Sequence, residues 1–181
     1  MYDKRIIAAV RAEKDFKAAL LSDANLLFDL SPDINTLYQK AKSAHKHDKK
    51  LYIHIDLAVG IGKDREAIEF IKKFEVDGII STRVNIIKYA REAGFNTVQR
   101  FFAVDSQSVE TTVESIKASK PDMIEIMPGV IPKVISLLKS RVDMPIIAGG
   151  LISTEDEVKT AIESGAWAVS TGKTDLWGLE I

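Results

Sequence analysis

The chain has 181 residues and no cysteine, and its 25 basic side chains nearly balance 26 acidic ones. This composition excludes a disulfide-stapled scaffold, a thiol nucleophile and any zinc or iron–sulfur site with cysteine ligands. A hydrophobic fraction of 46% is ordinary for a globular domain, and no apolar run approaches the roughly 20 residues that span a bilayer. We therefore expect a single domain over residues 1–181, located in the cytoplasm and without membrane contact.

Eight short apolar runs alternate with longer amphipathic segments along the chain. The runs predict β-strands at residues 6–10, 25–30, 51–56, 77–81, 97–102, 123–127, 145–148 and 166–170. The intervening segments 63–74, 106–119 and 154–164 carry one apolar and one charged face, which is typical of surface helices. Thr154 followed by Glu157 predicts a capping box at the start of the last of these helices.

Eight β/α units in strict alternation predict a small (β/α)8 TIM barrel, with a doubly wound open sheet as the alternative. The strands are short and almost wholly apolar, as expected for a parallel sheet covered on both faces. Since only 11 residues follow Ser170, we expect a truncated last helix. Its apolar residues Leu176, Trp177, Leu179 and Ile181 have two interpretations: Trp177 caps the core, or the tail is a subunit contact that makes the chain a homodimer.

Function in such a barrel belongs at the carboxyl ends of the strands. The strongest signal there is Gly149-Gly150 after the seventh strand, paired with Ser170-Thr171 after the eighth. Glycines allow the backbone N–H groups to approach an anion closely, and the two hydroxyls add donors. The pair of motifs predicts a site for a phosphate ester, with two tight turns as the alternative.

Charged and polar residues follow several other strands. Arginine can bind carboxylate or phosphate through two hydrogen bonds, whereas carboxylates suit polyol hydroxyls, a metal ion, or acid and base catalysis. His54 precedes Asp56 by two residues, so both side chains are expected on one strand face. The alternative is that these charges pair with each other across the barrel. The candidates are Arg11, Asp29, His54, Asp56, Ser81, Arg83, Arg100, Glu125 and Gly129.

Catalysis has limited support in the sequence. Of three histidines, His45 and His47 belong to the polar end of the second helix, at the opposite face of the barrel. A metal site built from several histidines is therefore not expected, and no strand carries a central lysine for Schiff-base chemistry. We expect no cofactor and no metal. A phosphosugar or glycerol-phosphate enzyme that uses Asp56 and Glu125 as acid and base remains the alternative.

A run of lysines lies around the end of the second predicted helix. Cations are favoured at a helix carboxyl end, so a solvated surface is one interpretation. The other is a site for RNA phosphates, although Tyr38 and Tyr52 are the only aromatic residues near it in sequence. The candidates for RNA contact are Lys46, Lys49 and Lys50.

Across these motifs the chain resembles the glycerol-3-phosphate-responsive transcription antiterminators of bacterial glycerol uptake operons. The resemblance spans nearly the whole length, and its blocks occur in the same order. They are Ala9-Val10-Arg11, His54-Ile55-Asp56-Leu57, Asp77-Gly78-Ile79-Ile80-Ser81-Thr82-Arg83, Gln99-Arg100-Phe101-Phe102, Ile124-Glu125-Ile126-Met127-Pro128-Gly129, Ile147-Ala148-Gly149-Gly150-Leu151-Ile152 and Ala168-Val169-Ser170-Thr171 with Leu176-Trp177.

The resemblance implies a small barrel that binds glycerol 3-phosphate and, once loaded, binds leader messenger RNA and prevents transcription termination, without catalysis. It implies that the phosphate meets Gly149, Gly150, Ser170 and Thr171. The glyceryl hydroxyls and the switch are then expected at His54, Asp56, Arg100 and Glu125, with Arg11 and Arg83 close by.

Overall fold

The computed structural model describes residues 4–181, apart from the side chain of Ser106. Eight parallel strands pair in chain order, and the first pairs with the last to close a barrel. The prediction of a TIM barrel is thus confirmed. The strands are β1 (Ile6–Val10), β2 (Leu26–Asp29), β3 (Lys50–His54), β4 (Gly78–Ser81), β5 (Asn96–Phe102), β6 (Met123–Met127), β7 (Ile146–Gly149) and β8 (Ala168–Thr171).

Helices connect successive strands and cover the outside of the barrel. Asp33, Asp64 and Thr154 accept backbone N–H groups at the starts of three of them, and Thr154 with Glu157 forms the predicted capping box. The helices are α1 (Glu13–Leu21), α2 (Ile34–Lys46), α3 (Arg65–Ile71), α4 (Val84–Glu92), α5 (Ser106–Ser119), α6 (Pro132–Lys139) and α7 (Glu155–Glu163), with 3₁₀ turns at Ile55–Leu57, Lys72–Phe74 and Thr174–Leu176. In the described part of the chain, no helix is both long and apolar enough to span a membrane.

The last outer helix is reduced to the 3₁₀ turn Thr174–Leu176, in agreement with the expected truncation. Trp177 follows it, is 2% exposed and donates its indole N–H to the Thr171 carbonyl at 2.8 Å. Leu176 is also buried, while Ile181 is 40% exposed. Trp177 therefore caps the core. Because Leu176 and Trp177 are buried, the interpretation of the tail as an apolar subunit surface is wrong for these two residues.

The interior of the barrel changes character along its axis. A first layer is apolar, and the rings of Phe28 and Tyr52 stack there with their centroids 5.9 Å apart. Val98, Met123 and Ala168 belong to this apolar layer. Because side chains two residues apart share a strand face, the residues two positions further toward the carboxyl ends also face the barrel interior. These next positions are polar and belong to Arg100, Glu125 and Ser170.

Candidate functional site

A buried ion pair lies inside the barrel near its carboxyl edge. Arg100 of β5 and Glu125 of β6 are directly opposite each other in the strand register, and the Arg100 Nε donates to Glu125 Oε2 at 2.6 Å. Ser170 of β8 donates its hydroxyl to the other carboxylate oxygen, Oε1, at 2.7 Å. Glu125 is fully buried and the other two side chains nearly so. The carboxylate thus has a partner on each oxygen, as a buried charge requires.

A cavity of about 230 Å³ opens above this pair at the carboxyl edge. It combines an exposed guanidinium, a buried ion pair and the glycine-containing loops after β7 and β8. Among the residues described, the Arg11 side chain has no hydrogen-bond or salt-bridge partner. The lining of this cavity includes Arg11, Arg100, Glu125, Gly150, Ser170 and Gly172.

The loop after β7 approaches its neighbours closely. The N–H of Gly129 donates to the Gly149 carbonyl at 2.6 Å, and a Cβ at Gly149 would overlap the Glu125 carboxylate. Gly150 has a φ of +76°, which glycine adopts without strain. The predicted Gly149-Gly150 motif therefore serves the packing of Glu125 and a left-handed turn, and it also places Gly150 on the cavity wall.

The two predicted hydroxyl donors of the phosphate site are already engaged within the protein. Ser170 donates to Glu125. The Thr171 hydroxyl donates to the Ile152 carbonyl at 2.9 Å and accepts the Lys173 N–H at 3.1 Å, so it joins the loops after β7 and β8. Both residues line the cavity, but their hydroxyl protons point to protein acceptors.

His54 ends β3 and is 3% exposed. Burial and the neighbouring Arg100 cation lower the pKa of His54 to about 4, against an opposing effect of Asp56, so the imidazole is neutral at pH 7. Its Nδ1 has no hydrogen-bond partner among the described residues. A neutral imidazole beside Arg100 avoids placing a second cation next to a guanidinium that is already buried.

Asp56 lies in the 3₁₀ turn Ile55–Leu57, so the prediction that it shares a strand face with His54 is wrong. Its carboxylate accepts the Ser81 hydroxyl at 2.8 Å, the Thr82 N–H at 2.7 Å and the Thr82 hydroxyl at 2.9 Å, and the Arg83 Nε is 3.8 Å away. Burial by itself would raise the pKa of Asp56, but these hydrogen bonds hold it below its usual value. This cluster joins β3 to the start of α4 and is separate from the cavity.

Asp29 and the lysines of the second β/α unit have structural partners. Asp29 is fully buried and binds Lys40 of α2 at 2.7 Å, so it faces the helix layer rather than the barrel interior. Lys49 is 6% exposed and donates to the carbonyls of Ser22 at 2.6 Å and Ala24 at 2.7 Å, and burial lowers its pKa. The prediction that Lys49 contacts RNA is wrong because its ammonium group is inside the protein.

The other two predicted RNA contacts lie at the amino edge of the barrel. Lys46 is exposed at the end of α2. Lys50 is half-exposed and binds Asp77 at 2.8 Å, and the same carboxylate contacts the His45 Nε2 at 2.8 Å. His45 therefore lies on the face opposite the cavity, as expected. No group of three or more His, Asp or Glu residues within the described residues could hold a metal ion.

Four charged residues line the cavity: Arg11, Arg100 and Glu125 were predicted as site residues, and Asp15 was not. Sequence reasoning did not identify which alternative applies to each residue. Arg100 and Glu125 pair with each other, as the alternative interpretation expected, and they also form the floor of the cavity. The cavity residue Met127 follows Glu125 by two positions, so the strand period could have identified it.

Comparisons with known proteins agree over almost the entire chain. The profile of a family described as "Glycerol-3-phosphate responsive antiterminator" matches residues 6–177. The Escherichia coli (strain K12) protein YgcP is 37% identical over 175 residues, which cover 96% of this chain and 92% of the relative.

Solved structures give the same result. A glycerol uptake operon antiterminator regulatory protein from Listeria monocytogenes superposes with a TM-score of 0.91 at 36% identity, covering 97% of this chain and 95% of the other. A glycerol uptake operon antiterminator-related protein from Thermotoga maritima has a TM-score of 0.86 at 32% identity, covering 98% and 99% of the two chains. A deoxyribose phosphate aldolase from Aeropyrum pernix, at 16% identity and a TM-score of 0.71 over 96% of this chain and 87% of its own, shares the barrel fold.

Proposed function

Because the chain belongs to the family of glycerol-3-phosphate responsive antiterminators, we propose that it senses glycerol 3-phosphate and, once loaded, binds leader messenger RNA and prevents transcription termination in a glycerol uptake operon. The observation that carries this proposal is the cavity at the carboxyl edge. The Arg11 guanidinium at its rim is unpaired, and the Arg100–Glu125 ion pair at its floor is polar but carries no net charge. Such a cavity suits a small anion that also carries hydroxyl groups.

The charges favour one orientation of the ligand. A phosphate dianion next to Glu125 would be repelled. Arg11 offers it two charge-assisted hydrogen bonds near the loops that contain Gly150 and Gly172, and these oppose the repulsion of Asp15, whose carboxylate accepts the Ala12 N–H. The glyceryl hydroxyls would then lie over the Arg100–Glu125 pair, where the carboxylate accepts and the guanidinium donates. In this arrangement the phosphate binds at the rim and the polyol is recognised at the floor.

Calorimetric titration tests the ligand. We expect saturable binding of glycerol 3-phosphate, and no comparable binding of glycerol or inorganic phosphate, because each of these occupies one half of the site. Arg11→Met should weaken binding by roughly tenfold or more, the usual contribution of a hydrogen bond to a charged group. Arg83→Met is the matched control, since Arg83 is an exposed arginine at the same edge but outside the cavity.

The titration can also contradict the proposal. Equal binding of any phosphate would indicate a general anion site, and no binding of the ester would remove glycerol 3-phosphate as the effector. Equal losses in the two arginine variants would remove the assigned orientation.

The alternative hypothesis, a phosphosugar or glycerol-phosphate enzyme that uses Asp56 and Glu125, has no comparable support. Glu125 lines the cavity but Asp56 does not, so the two carboxylates do not face one substrate. The hydrogen bonds that keep the pKa of Asp56 low also make it a poor proton donor near neutral pH. The solved relatives with 36% and 32% identity carry the names of a regulator and a regulator-related protein.

A further inference from the structure

Three contacts between a cation and an aromatic ring lie on consecutive helices of the outer layer. On α2 the Lys42 Nζ is 5.9 Å from the centre of the Tyr38 ring. At the end of α3 the Lys73 Nζ is 5.0 Å from the centre of the Phe70 ring. On α4 the Tyr89 ring contacts the Arg65 guanidinium of α3 at 4.6 Å. The rings of Tyr38 and Phe70 are 39% and 43% exposed, so both are accessible from solvent.

These contacts belong to one continuous surface. Helix α2 packs against the 3₁₀ turn Lys72–Phe74, and α3 packs against α4. Phe70 and Phe74 are in edge-to-face contact with their centroids 5.4 Å apart. The fold therefore brings the 3₁₀ turn that carries Lys73 and Phe74, the contact partner of Phe70, against α2.

The charges of this surface are unevenly compensated. Lys50, Lys72 and Arg65 form salt bridges with Asp77, Glu69 and Glu92, respectively. In contrast, no salt bridge within residues 4–181 involves any of three exposed lysines of the same elements. Helix α2 contains no acidic residue, and Glu66 is the remaining acidic residue of α3. The three lysines are Lys42, Lys46 and Lys73.

Uncompensated cations interleaved with exposed rings match the chemistry of single-stranded RNA. Phosphates bind the cations, and bases stack on aromatic faces with little dependence on sequence. We propose that the outer face formed by Tyr38, Lys42, Lys46, Phe70 and Lys73, here called the ring–lysine face, is the RNA-binding surface of the protein. This inference rests on the proposed function, because it names the surface on which the loaded protein would hold its leader RNA.

The probe for the test is an RNA selected from a randomised single-stranded pool by the wild-type protein in the presence of glycerol 3-phosphate. The triple variant Lys42→Glu, Lys46→Glu, Lys73→Glu should lose at least roughly tenfold in affinity for this RNA. Its slope of log affinity against log salt should fall by about two, because three phosphate contacts are removed. The matched control is Lys117→Glu, Lys133→Glu, Lys139→Glu, which changes three exposed lysines of α5 and α6 by the same total charge.

The rings are tested separately with substitutions that keep the side chain apolar. Phe70→Leu should weaken RNA binding by roughly fivefold or more, the lower end of the range for a stacked base. Phe102→Leu is the control, since Phe102 is an exposed ring at the other edge of the barrel. A 4-thiouridine version of the selected RNA should crosslink to peptides of α2 and α3. Glycerol 3-phosphate affinity should stay within twofold of the wild type in every variant.

The outcomes separate the two proposals. If the loaded wild type selects no RNA, the proposed antiterminator function fails, and this inference fails with it. If RNA is selected but the two triple variants lose affinity equally, or the crosslinks map elsewhere, the ring–lysine face is wrong while the function stands.

Discussion

His54 is a buried imidazole whose neutral form the fold selects. Its Nδ1 has no partner among the described residues, and burial together with Arg100 lowers its pKa to about 4. In the unfolded chain the same group takes up a proton near its ordinary pKa of 6.5. Between these two values protonation therefore favours the unfolded chain. The stability contributed by His54 is complete above pH 6.5 and is lost as the pH falls toward 4.

We expect the free energy of unfolding of the wild type to fall between pH 7.5 and pH 4.5 by more than that of His54→Gln. The difference should be at most about 3 kcal/mol, the equivalent of the full pKa change. Urea unfolding at pH 7.5, 6.0 and 4.5 measures it. His47→Gln is the control because His47 is exposed. Identical pH profiles for wild type and His54→Gln would show that His54 is not held neutral.

At the scale of elements, the end of β7 and the loop after β8 differ in how much space they leave for a side chain at their glycines. Gly149 faces Glu125 so closely that a Cβ would overlap the carboxylate, whereas a Cβ at Gly172 would have the Ala9 carbonyl oxygen at 3.5 Å, an ordinary contact. Gly149 was expected to serve a close approach to a ligand. The structure assigns the close approach at Gly149 to the protein's own buried ion pair.

Gly149→Ala should destabilise the protein by about 1–3 kcal/mol, the usual cost of an overpacked core, and should disturb the Arg100–Glu125 pair. Gly172→Ala should change stability by no more than about 0.5 kcal/mol. Urea midpoints compare the two variants directly. Equal stability of both would mean that Glu125 moves away without cost, and would remove the argument that its position is fixed.

The strands were predictable within one or two residues because each is a short apolar run, and their order followed from strict alternation with helices. The side-chain partners were not predictable in the same way. The sequence shows Asp56 two residues after His54, but the chain turns into a 3₁₀ helix there and directs the carboxylate to Ser81 and Thr82. Lys49 stands among exposed lysines in sequence, yet its ammonium group is buried because it donates to two carbonyl groups of the loop between α1 and β2. Both outcomes depend on loops, whose paths the hydrophobic pattern does not encode.

At the scale of the whole molecule, the Trp177 side chain covers part of the core that a full last outer helix would cover. Trp177 packs into the core next to the seam where β1 meets β8, and its indole N–H binds the carbonyl of Thr171 at the end of β8. The seam joins strands that are far apart in sequence, whereas the other seven pairings join consecutive strands. The core near this seam therefore depends on a residue beyond the last strand. The homodimer expected from the tail remains a prediction without this apolar surface in its favour.

Trp177→Ala should lower the free energy of unfolding by about 3–5 kcal/mol, as expected for a large buried ring. Trp177→Phe should cost less, since it retains most of the packing and loses the hydrogen bond, about 1 kcal/mol of the total. Urea unfolding followed by far-UV circular dichroism measures both. A loss below about 1 kcal/mol in Trp177→Ala would show that the core near the seam is closed without the indole.

The same seam brings the two ends of the described chain together, since the Lys4 Nζ lies 3.8 Å from the Glu180 carboxylate. Neighbouring ends make the eight strands a ring, in which each strand has a paired strand on both sides. The fold is then a property of cyclic order. A circular permutant that joined Lys4 to Ile181 through a linker and began at a different loop would keep the same set of strand neighbours, including those that form the cavity.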